Sequence, residues 1–231
     1  MQYYKIAGLT VAMDSYGRTV RQAVPYETDP VKTPDIVIRS DAESFHKLHP
    51  NMCLEDCEYM MTGASFYREL LRFDGMLLHA SAVAADGKAY LFSAPSGTGK
   101  STHTGLWQQV YGKDRVQMLN DDKPAIRLLD GTFYAYGTPW SGKYDISMNA
   151  GFPLGGICVV RRGEENTIRR LEPGDSIFQI MDQTFRSQSP ELIEKLLILM
   201  DKLLTTVPIW ELHCNMDPEA AKVSFEAMTK A

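Results

Sequence analysis

The sequence predicts an α/β protein whose mixed β-sheet carries a phosphate-binding loop, with a small N-terminal β region. A glycine-rich segment, residues 93–104 (SAPSGTGKSTHT), follows an apolar run and precedes a helical pattern, which is the context of such loops. Asp86-Gly87 and Asp130-Gly131 each interrupt β-rich runs, as is typical of tight hairpins. Because one hairpin leads directly into the loop, the loop-bearing strand has an antiparallel neighbour, and the sheet is mixed rather than parallel.

The N-terminal quarter of the chain is predicted to form short strands. YKIAGLTVAM and DIVIRS are rich in β-branched and aromatic residues and lie on either side of PYETDPVKTPD, residues 25–35. We therefore predict two domains: a β-rich region over residues 1–55, packed on the core, and the loop-bearing domain over residues 56–231.

The rest of the chain alternates between helical and strand patterns. Apolar spacing predicts helices from Asp56 to about residue 73, from the loop to Gly112, and from Pro190 to about Leu204. A final helix is predicted to begin at Asp217-Pro218, with Asp217 as its cap and Pro218 as its first residue. Strands are predicted in the run at residues 76–83, which includes His79, in residues 89–92, in RVQMLNDD, and in VPIWELHC.

Composition restricts the classes of partner. The chain has 231 residues, 44% of them hydrophobic, and a net charge of −5, so it is expected to be globular with no general attraction for nucleic acid or an anionic membrane. The N-terminus lacks the pattern of a signal peptide, and four scattered cysteines do not suggest a disulfide framework. A cytoplasmic protein with reduced thiols is the expectation, and a homo-oligomer remains open.

The glycine-rich segment has the chemistry of a nucleotide site. Backbone N–H groups of such a loop surround phosphates, the lysine neutralises their charge, and the next hydroxyl ligates Mg²⁺. The predicted binding residues are Pro95, Ser96, Gly97, Thr98, Gly99, Lys100, Ser101 and Thr102. Ala94 replaces the usual first glycine, but Pro95 biases it toward an extended conformation in which alanine is tolerated.

Two acids and a histidine complete the candidate site. Asp121 and Asp122 end the strand after the loop, where one acid can hold Mg²⁺ and the other can accept the proton of the attacking hydroxyl. The alternative is that NDD is a polar turn. His79 lies just before the hairpin and is either a core residue or an assistant of the acid, whereas His103 is expected to be exposed or a packing residue.

Three other segments have weaker signals. GTPWSGKYD, residues 137–145, is equally compatible with a second active-site loop containing Lys143 and with a plain turn. His46, His49, Cys53 and Cys57 have an unusual spacing for zinc, which makes a zinc site the minor alternative. The arginine pairs at residues 161–162 and 169–170 are expected to decorate a solvated hairpin.

LLHASAVAADGKAYLFSAPSGTGKSTHTGLW and LNDDKPAI together resemble the catalytic domain of HPr kinase/phosphorylase and its shorter relatives, over roughly residues 79–140. These proteins share a P-loop fold with the ATP-dependent phosphoenolpyruvate carboxykinases. The resemblance implies that Asp122, His79 and Lys100 are catalytic and that Ser101 and Asp121 hold Mg²⁺. It does not extend to decarboxylation, for which the chain is too short, or to the C-terminal signature of the bifunctional enzymes, which has no match after Gly151.

The function that the resemblance implies is transfer of the γ-phosphoryl group of Mg-ATP to a Ser/Thr hydroxyl of a peptide or protein. Two alternatives stay open, namely a regulatory module that binds a nucleotide without transferring phosphate, and a small-molecule kinase. The two acids and His79 favour catalysis, because binding alone needs no base.

Overall fold

A computed structural model describes residues 1–230. The N-terminal part forms a three-stranded sheet, in which β1 and β2 make an antiparallel hairpin and β3 pairs parallel to β2. Its elements are β1 (Gln2–Ile6), β2 (Leu9–Asp14), α1 (Gly17–Ala23), β3 (Ile36–Arg39) and α2 (Ala42–Leu48), and helix α3 (Leu54–Leu70) follows. The predicted N-terminal β region is confirmed, and the domain boundary at residue 56 stays a prediction.

The larger sheet and its helices occupy the rest of the chain. The elements are β4 (Gly75–Leu77), β5 (Ala80–Ala85), β6 (Lys88–Ser93), α4 (Lys100–Tyr111), β7 (Val116–Asn120), β8 (Ala125–Leu129), β9 (Thr132–Tyr136), β10 (Gly151–Arg162), β11 (Thr167–Leu171), α5 (Pro173–Asp182), α6 (Pro190–Thr206), β12 (Ile209–Cys214) and α7 (Pro218–Thr229). Short 3₁₀ turns lie at Val24–Tyr26 and Leu71–Phe73. Within residues 1–230 we find no helix with the length and hydrophobicity that a membrane crossing requires.

The larger sheet is mixed and curled. Its main path runs β4-β8-β9-β10-β6-β5-β7, with β12 parallel to β10 and β11 antiparallel to β12. The long strand β10 pairs antiparallel with β9 through residues 151–153 and parallel with β6 through residues 154–159, with an irregularity where the partner changes. The predicted α/β class with a mixed sheet is therefore confirmed.

Both predicted Asp-Gly hairpins are present. Asp86 and Gly87 connect β5 to β6 with φ angles of 50° and 79°, and Asp130 and Gly131 connect β8 to β9 with φ angles of 48° and 83°. A two-residue turn with positive φ at both positions matches the right-handed twist of the strands it joins, which explains this choice of residues.

Three sequence predictions need correction. The apolar run at residues 76–83 is two strands, β4 and β5, which pair with different neighbours, and His79 lies in the break between them rather than in a strand. β10 and β11 do not form a hairpin, because β12 lies between them. At the start of α7 Pro218 takes the first turn as predicted, but the Asp217 side chain makes no capping hydrogen bond.

The core is built on both faces of the sheet. Ala89 and Leu91 of β6 belong to a cluster with residues of α5 and α6, whereas Tyr90 and Phe92 belong to a cluster with residues of α4 and α7. Successive side chains of a strand point to opposite faces, so this division places helices on both sides of β6. The loop after β6 is thus attached to a strand that is covered on both faces.

His103 of α4 is one of the packing residues rather than an exposed one. It is only 2% exposed, and its Nε2 lies 2.8 Å from the Ser224 hydroxyl of α7. Ser224 donates to the Ala220 carbonyl and accepts from Trp107 Nε1, so its remaining lone pair accepts from His103. Burial lowers the pKa of His103 to about 4, and the folded protein holds it neutral.

This burial predicts a loss of stability in mild acid. The unfolded chain has a histidine pKa near 6.5, so between pH 6.5 and 4 it binds the His103 proton while the folded state does not. The free energy of unfolding should therefore fall as pH decreases, by about 2 kcal/mol between pH 7.5 and 5 from this group. Urea unfolding in Mg²⁺-free buffer measures it, and His103→Gln should remove this part of the pH dependence. An equal pH dependence in the variant would contradict the assignment.

Candidate active site

The register of β5 brings three separate parts of the chain to one edge of the sheet. β5 is antiparallel to both of its neighbours, with Ala80 opposite Ser93 of β6 and Ala82 opposite Asn120 of β7. The beginning of β5 therefore lies beside the ends of β6 and β7. His79 precedes β5, the glycine-rich loop (residues 94–99) follows β6, and the two acids follow β7, so all of them meet here.

The glycine-rich loop has the backbone that its sequence requires. Gly97 and Gly99 have φ angles of 77° and 121°, in the region that L side chains rarely adopt. Ala94, by contrast, has no positive φ and is buried, so its methyl group causes no backbone strain. The replacement of the first glycine is accommodated in the way that the sequence predicts.

Lys100 begins α4 and folds back over the loop. Its ammonium donates hydrogen bonds to the carbonyl oxygens of Ala94 at 2.8 Å and Pro95 at 3.4 Å. Burial lowers the pKa of Lys100, and the nearby carboxylates of Asp122 and Asp121 oppose this effect. A buried ammonium held by neutral carbonyls gains stronger partners when an anion enters the loop.

Ser81 of β5 holds the Asp121 carboxylate in place by a hydrogen bond. Ser81 donates to Asp121 Oδ1 at 2.8 Å, and the same hydroxyl lies 2.8 Å from Thr104 of α4. Within residues 1–230 the other oxygen, Oδ2, has no protein hydrogen bond. The carboxylate is therefore oriented and keeps one oxygen available.

Asp122 lies between two positively polarised groups. His79 Nε2 lies 3.2 Å from Asp122 Oδ1, and the Lys123 ammonium pairs with Oδ2. Burial by itself would raise the pKa of Asp122, but the hydrogen bond from His79 and the charge of Lys123 outweigh it and lower the pKa to about 2. The carboxylate is ionised at neutral pH.

Gln183, just after α5, orients His79 through two contacts. The His79 backbone N–H donates to the Gln183 carbonyl at 2.8 Å, and His79 Nδ1 lies 2.9 Å from Gln183 Oε1. Either an imidazolium donates to both partners, or the side-chain amide of Gln183 turns and donates to Nδ1. In both arrangements Nε2 carries the proton that faces Asp122.

Asn120 makes the turn that presents the acids. Its Oδ1 accepts from the backbone N–H groups of Asp122 at 2.9 Å and Lys123 at 2.7 Å. The structure therefore places the polar turn at Asn120, and the metal-binding and base roles of the two aspartates stay predictions.

A cavity of about 380 Å³ connects these groups. Its lining includes most of the residues that the sequence predicts: His79, Ser96, Gly97, Gly99, Lys100, Ser101, Thr102, Asp121 and Asp122. Pro95 and Thr98 belong to the same loop but line neighbouring cavities. Gly142, Lys143 and Tyr144 also line the cavity, so part of the segment at residues 137–145 borders the candidate site.

A second cavity of about 480 Å³ lies on the other side of the loop and shares Gly97, Gly99 and Thr102 with the first. Leu106, Val160 and Met216 contribute apolar surface to it. Arg162, which the sequence places on a solvated hairpin, also lines this cavity and donates to the carbonyl oxygens of Gly97 at 2.5 Å and Thr98 at 3.4 Å. Arg162 therefore holds the loop at the carbonyl oxygens that face the second cavity.

Sequence reasoning missed three residues of the site. Lys123 follows the acids directly and is identifiable as their counter-ion by adjacency. Gln183 and Arg162 have no such signal. Gln183 is 104 positions from His79, which it contacts, and Arg162 is 65 positions from Gly97, to which it donates.

The donor set differs from a preformed metal cage. Within residues 1–230 no group of three or more His, Cys, Asp or Glu side chains is arranged to hold a metal ion, the zinc alternative at residues 46–57 included. Mg²⁺ is usually held by one or two carboxylates together with water and phosphate oxygens. Asp121, with its available oxygen, fits that second mode.

Comparisons with known proteins give a structural likeness but no match by sequence. The sequence matches neither a protein-family model nor a curated protein. Among solved structures, the fold is similar to the Hpr(Ser) kinase/phosphatase from Coxiella burnetii, with a TM-score of 0.41 and 11% sequence identity, covering 67% of this chain and 97% of that one. The likeness is a distant one of fold.

Proposed function

We propose that this chain is a kinase that transfers the γ-phosphoryl group of Mg-ATP to a Ser/Thr hydroxyl of a peptide or protein. One observation carries the proposal: a single cavity is lined by the glycine-rich loop, Lys100, Asp121 and the pair of His79 and Asp122. A site for binding alone would need the loop and lysine, but not an ionised acid oriented by a histidine.

Phosphates would bind in the loop. The N-terminus of α4 and the N–H groups of residues 96–101 provide partial positive charge, and Lys100 would exchange the carbonyls of Ala94 and Pro95 for phosphate oxygens. The nucleoside would then occupy the second cavity, which shares loop residues with the first and offers the apolar side chains of Leu106 and Val160 to a base.

Ser101 and Asp121 fit the role of magnesium ligands. The Ser101 hydroxyl is exposed at the start of α4, and Asp121 Oδ2 is not used by the protein within the described residues. When bound, Mg²⁺ would neutralise charge on the phosphates. The remaining steps belong to the protein side chains.

Asp122 would orient the attacking hydroxyl. Its ionised carboxylate would accept a hydrogen bond from the acceptor, whose oxygen attacks the γ-phosphorus as the bond to the ADP oxygen breaks. The hydroxyl proton passes to Asp122 as the new ester forms. A pKa of about 2 makes Asp122 a weak base in the free protein, which suits a loose transition state in which proton transfer comes late.

The first prediction about the proposed function concerns ligand binding at Lys100. ATP with Mg²⁺ at a hundredfold excess over its dissociation constant should stabilise the protein by about 2.7 kcal/mol, and Lys100→Ala should lose most of this stabilisation because its ammonium neutralises phosphate charge. Thermal unfolding with ATP, Mg-ATP and pyrophosphate measures it. Lys113→Ala is the matched control, since Lys113 is exposed just beyond the opposite end of α4. A wild-type protein that responds to none of these ligands would contradict the kinase proposal.

A second prediction separates catalysis from binding. Asp122→Asn keeps the size of the side chain but removes the acceptor of the hydroxyl proton, so phosphoryl transfer should fall by roughly 10²- to 10⁴-fold. Transfer from γ-labelled ATP to hydroxyl-containing peptides and to small alcohols measures it, with the affinity for Mg-ATP determined in parallel. Full transfer by Asp122→Asn would rule out this role for Asp122. Transfer by the wild-type protein to small alcohols but not to peptides would identify a small-molecule kinase.

A third prediction concerns Gln183, which acts through His79. Gln183→Leu removes a hydrogen bond of about 1.5 kcal/mol to the imidazole and should lower kcat by about tenfold, with KM for ATP unchanged. Gln183→Glu keeps an acceptor for Nδ1 but offers no donor, so it should recover most of the rate where His79 donates to Gln183 and none of it where the Gln183 amide donates to Nδ1. The ¹⁵N shifts of the His79 ring should report loss of the fixed Nε2 proton in Gln183→Leu. Equal kcat in both variants and unchanged ¹⁵N shifts would show that Gln183 has no positioning role.

A further inference from the structure

The segment of residues 141–145 lies against Asp122, the proposed acceptor of the hydroxyl proton. Gly142 has a φ of 77°, and a Cβ at this position would come within 2.8 Å of Asp122 Cβ. The next two residues, Lys143 and Tyr144, line the same cavity as Lys100. The backbone therefore brings the lysine to the edge of the candidate phosphate site.

Both polar groups of Gly142 are held by residues from the N-terminal part of the chain. Its carbonyl oxygen accepts from the Arg18 guanidinium and from Gln22 Nε2, the latter at 3.2 Å, and its N–H donates to the Tyr59 hydroxyl at 3.1 Å. Three side chains distant in sequence thus fix one glycine. A plain connecting turn requires no such contacts.

The three anchoring side chains are themselves ordered by other contacts. The Arg18 guanidinium stacks over the Tyr59 ring at 4.0 Å from its centroid and pairs with Asp56 at 3.4 Å. Gln22 is only 5% exposed. We use the term Gly142 clamp for Arg18, Gln22 and Tyr59.

Lys143 is available for an anion. Lys100 is bonded to loop carbonyls and Lys123 is paired with Asp122, whereas within residues 1–230 Lys143 has no ion pair and is exposed. The Lys143 ammonium lies 5.6 Å from the centroid of the Tyr144 ring. A cation at the rim of a phosphate site adds affinity for anionic oxygens and increases their local concentration.

We propose that Lys143 is a second phosphate-binding cation of this site and that the Gly142 clamp positions it. The inference rests on the proposed function, since it assigns a ligand contact to the same cavity. Its ligand is the phosphate chain, which a nucleoside triphosphate and inorganic pyrophosphate share. The N-terminal part of the chain acquires a role, because it holds the segment that carries Lys143.

The first experiment measures binding of Mg-ATP and Mg-pyrophosphate by isothermal titration calorimetry. Lys143→Ala should weaken both by about tenfold, the loss of one charge-assisted contact. Lys143→Arg should restore most of the affinity, and Lys113→Ala should have none of the effect. Weakening of Mg-ATP alone would overturn the assignment to the phosphate chain.

The second experiment tests the clamp by a double-mutant cycle. Tyr59→Phe removes the acceptor for the Gly142 N–H and keeps the ring beneath Arg18, and Arg18→Leu removes a donor to the carbonyl. Each should weaken binding about threefold in the wild-type background and not at all in the Lys143→Ala background, because coupled residues are not additive. Equal losses in both backgrounds would overturn the positioning role, and unfolding in the absence of ligand verifies that the variants fold.

Different outcomes would contradict the inference about Lys143 and the proposed function. If Lys100→Ala abolishes binding and Lys143→Ala has no effect, the inference about Lys143 is wrong and the proposed function stands. If the wild-type protein binds neither Mg-ATP nor Mg-pyrophosphate, both are wrong.

Discussion

The candidate site depends on the antiparallel pairing of β5 with β6 on one side and β7 on the other. Because the register sets Ala80 opposite Ser93 and Ala82 opposite Asn120, the chain just before β5 meets the chain just after both neighbours. A shift of one residue would turn every side chain of β5 to the other face and move Ser81 away from Asp121. The two-residue Asp86-Gly87 turn fixes the register at the other end of the hairpin.

The charged side chains at this edge have two kinds of partner, charged and neutral. Lys123 neutralises Asp122, His79 donates to the same carboxylate, and Lys100 is satisfied only by neutral carbonyls. A buried ammonium without a carboxylate partner is costly, which is the reason that burial lowers the pKa of Lys100. In the proposed function, polyphosphate would supply the charged partner that Lys100 lacks.

The helices on both faces of the sheet support the loop, and α4 also contributes Lys100 and Ser101 to the candidate site. His103 and Trp107 of α4 share one serine of α7 as a hydrogen-bond partner, which fixes α4 to the body of the protein. Gln183 at the end of α5 reaches the candidate site from the opposite face of the sheet, and Arg162 at the end of β10 reaches the loop from the cavity beside α4. The edge that carries the candidate site is therefore held by elements on both faces of the sheet, and the Gly142 clamp adds a third support.

The sequence by itself determined the local features, since they depend on residue type over a few positions. The Asp-Gly turns, the glycines with positive φ, the tolerated Ala94, the α4 helix and the acids after β7 were all identifiable in this way. The break at His79 was not, because residues 76–83 are apolar apart from His79 and Ser81 and contain no glycine or proline, and only pairing with β8 or with β6 distinguishes the two strands. Tertiary structure alone decided the partners that come from afar: β12 enters between β10 and β11, Gln183 orients His79, and Arg18, Gln22 and Tyr59 hold Gly142. The side-chain hydrogen bonds among these contacts join residues 83 to 124 positions apart, and no local propensity encodes a hydrogen bond across such a distance.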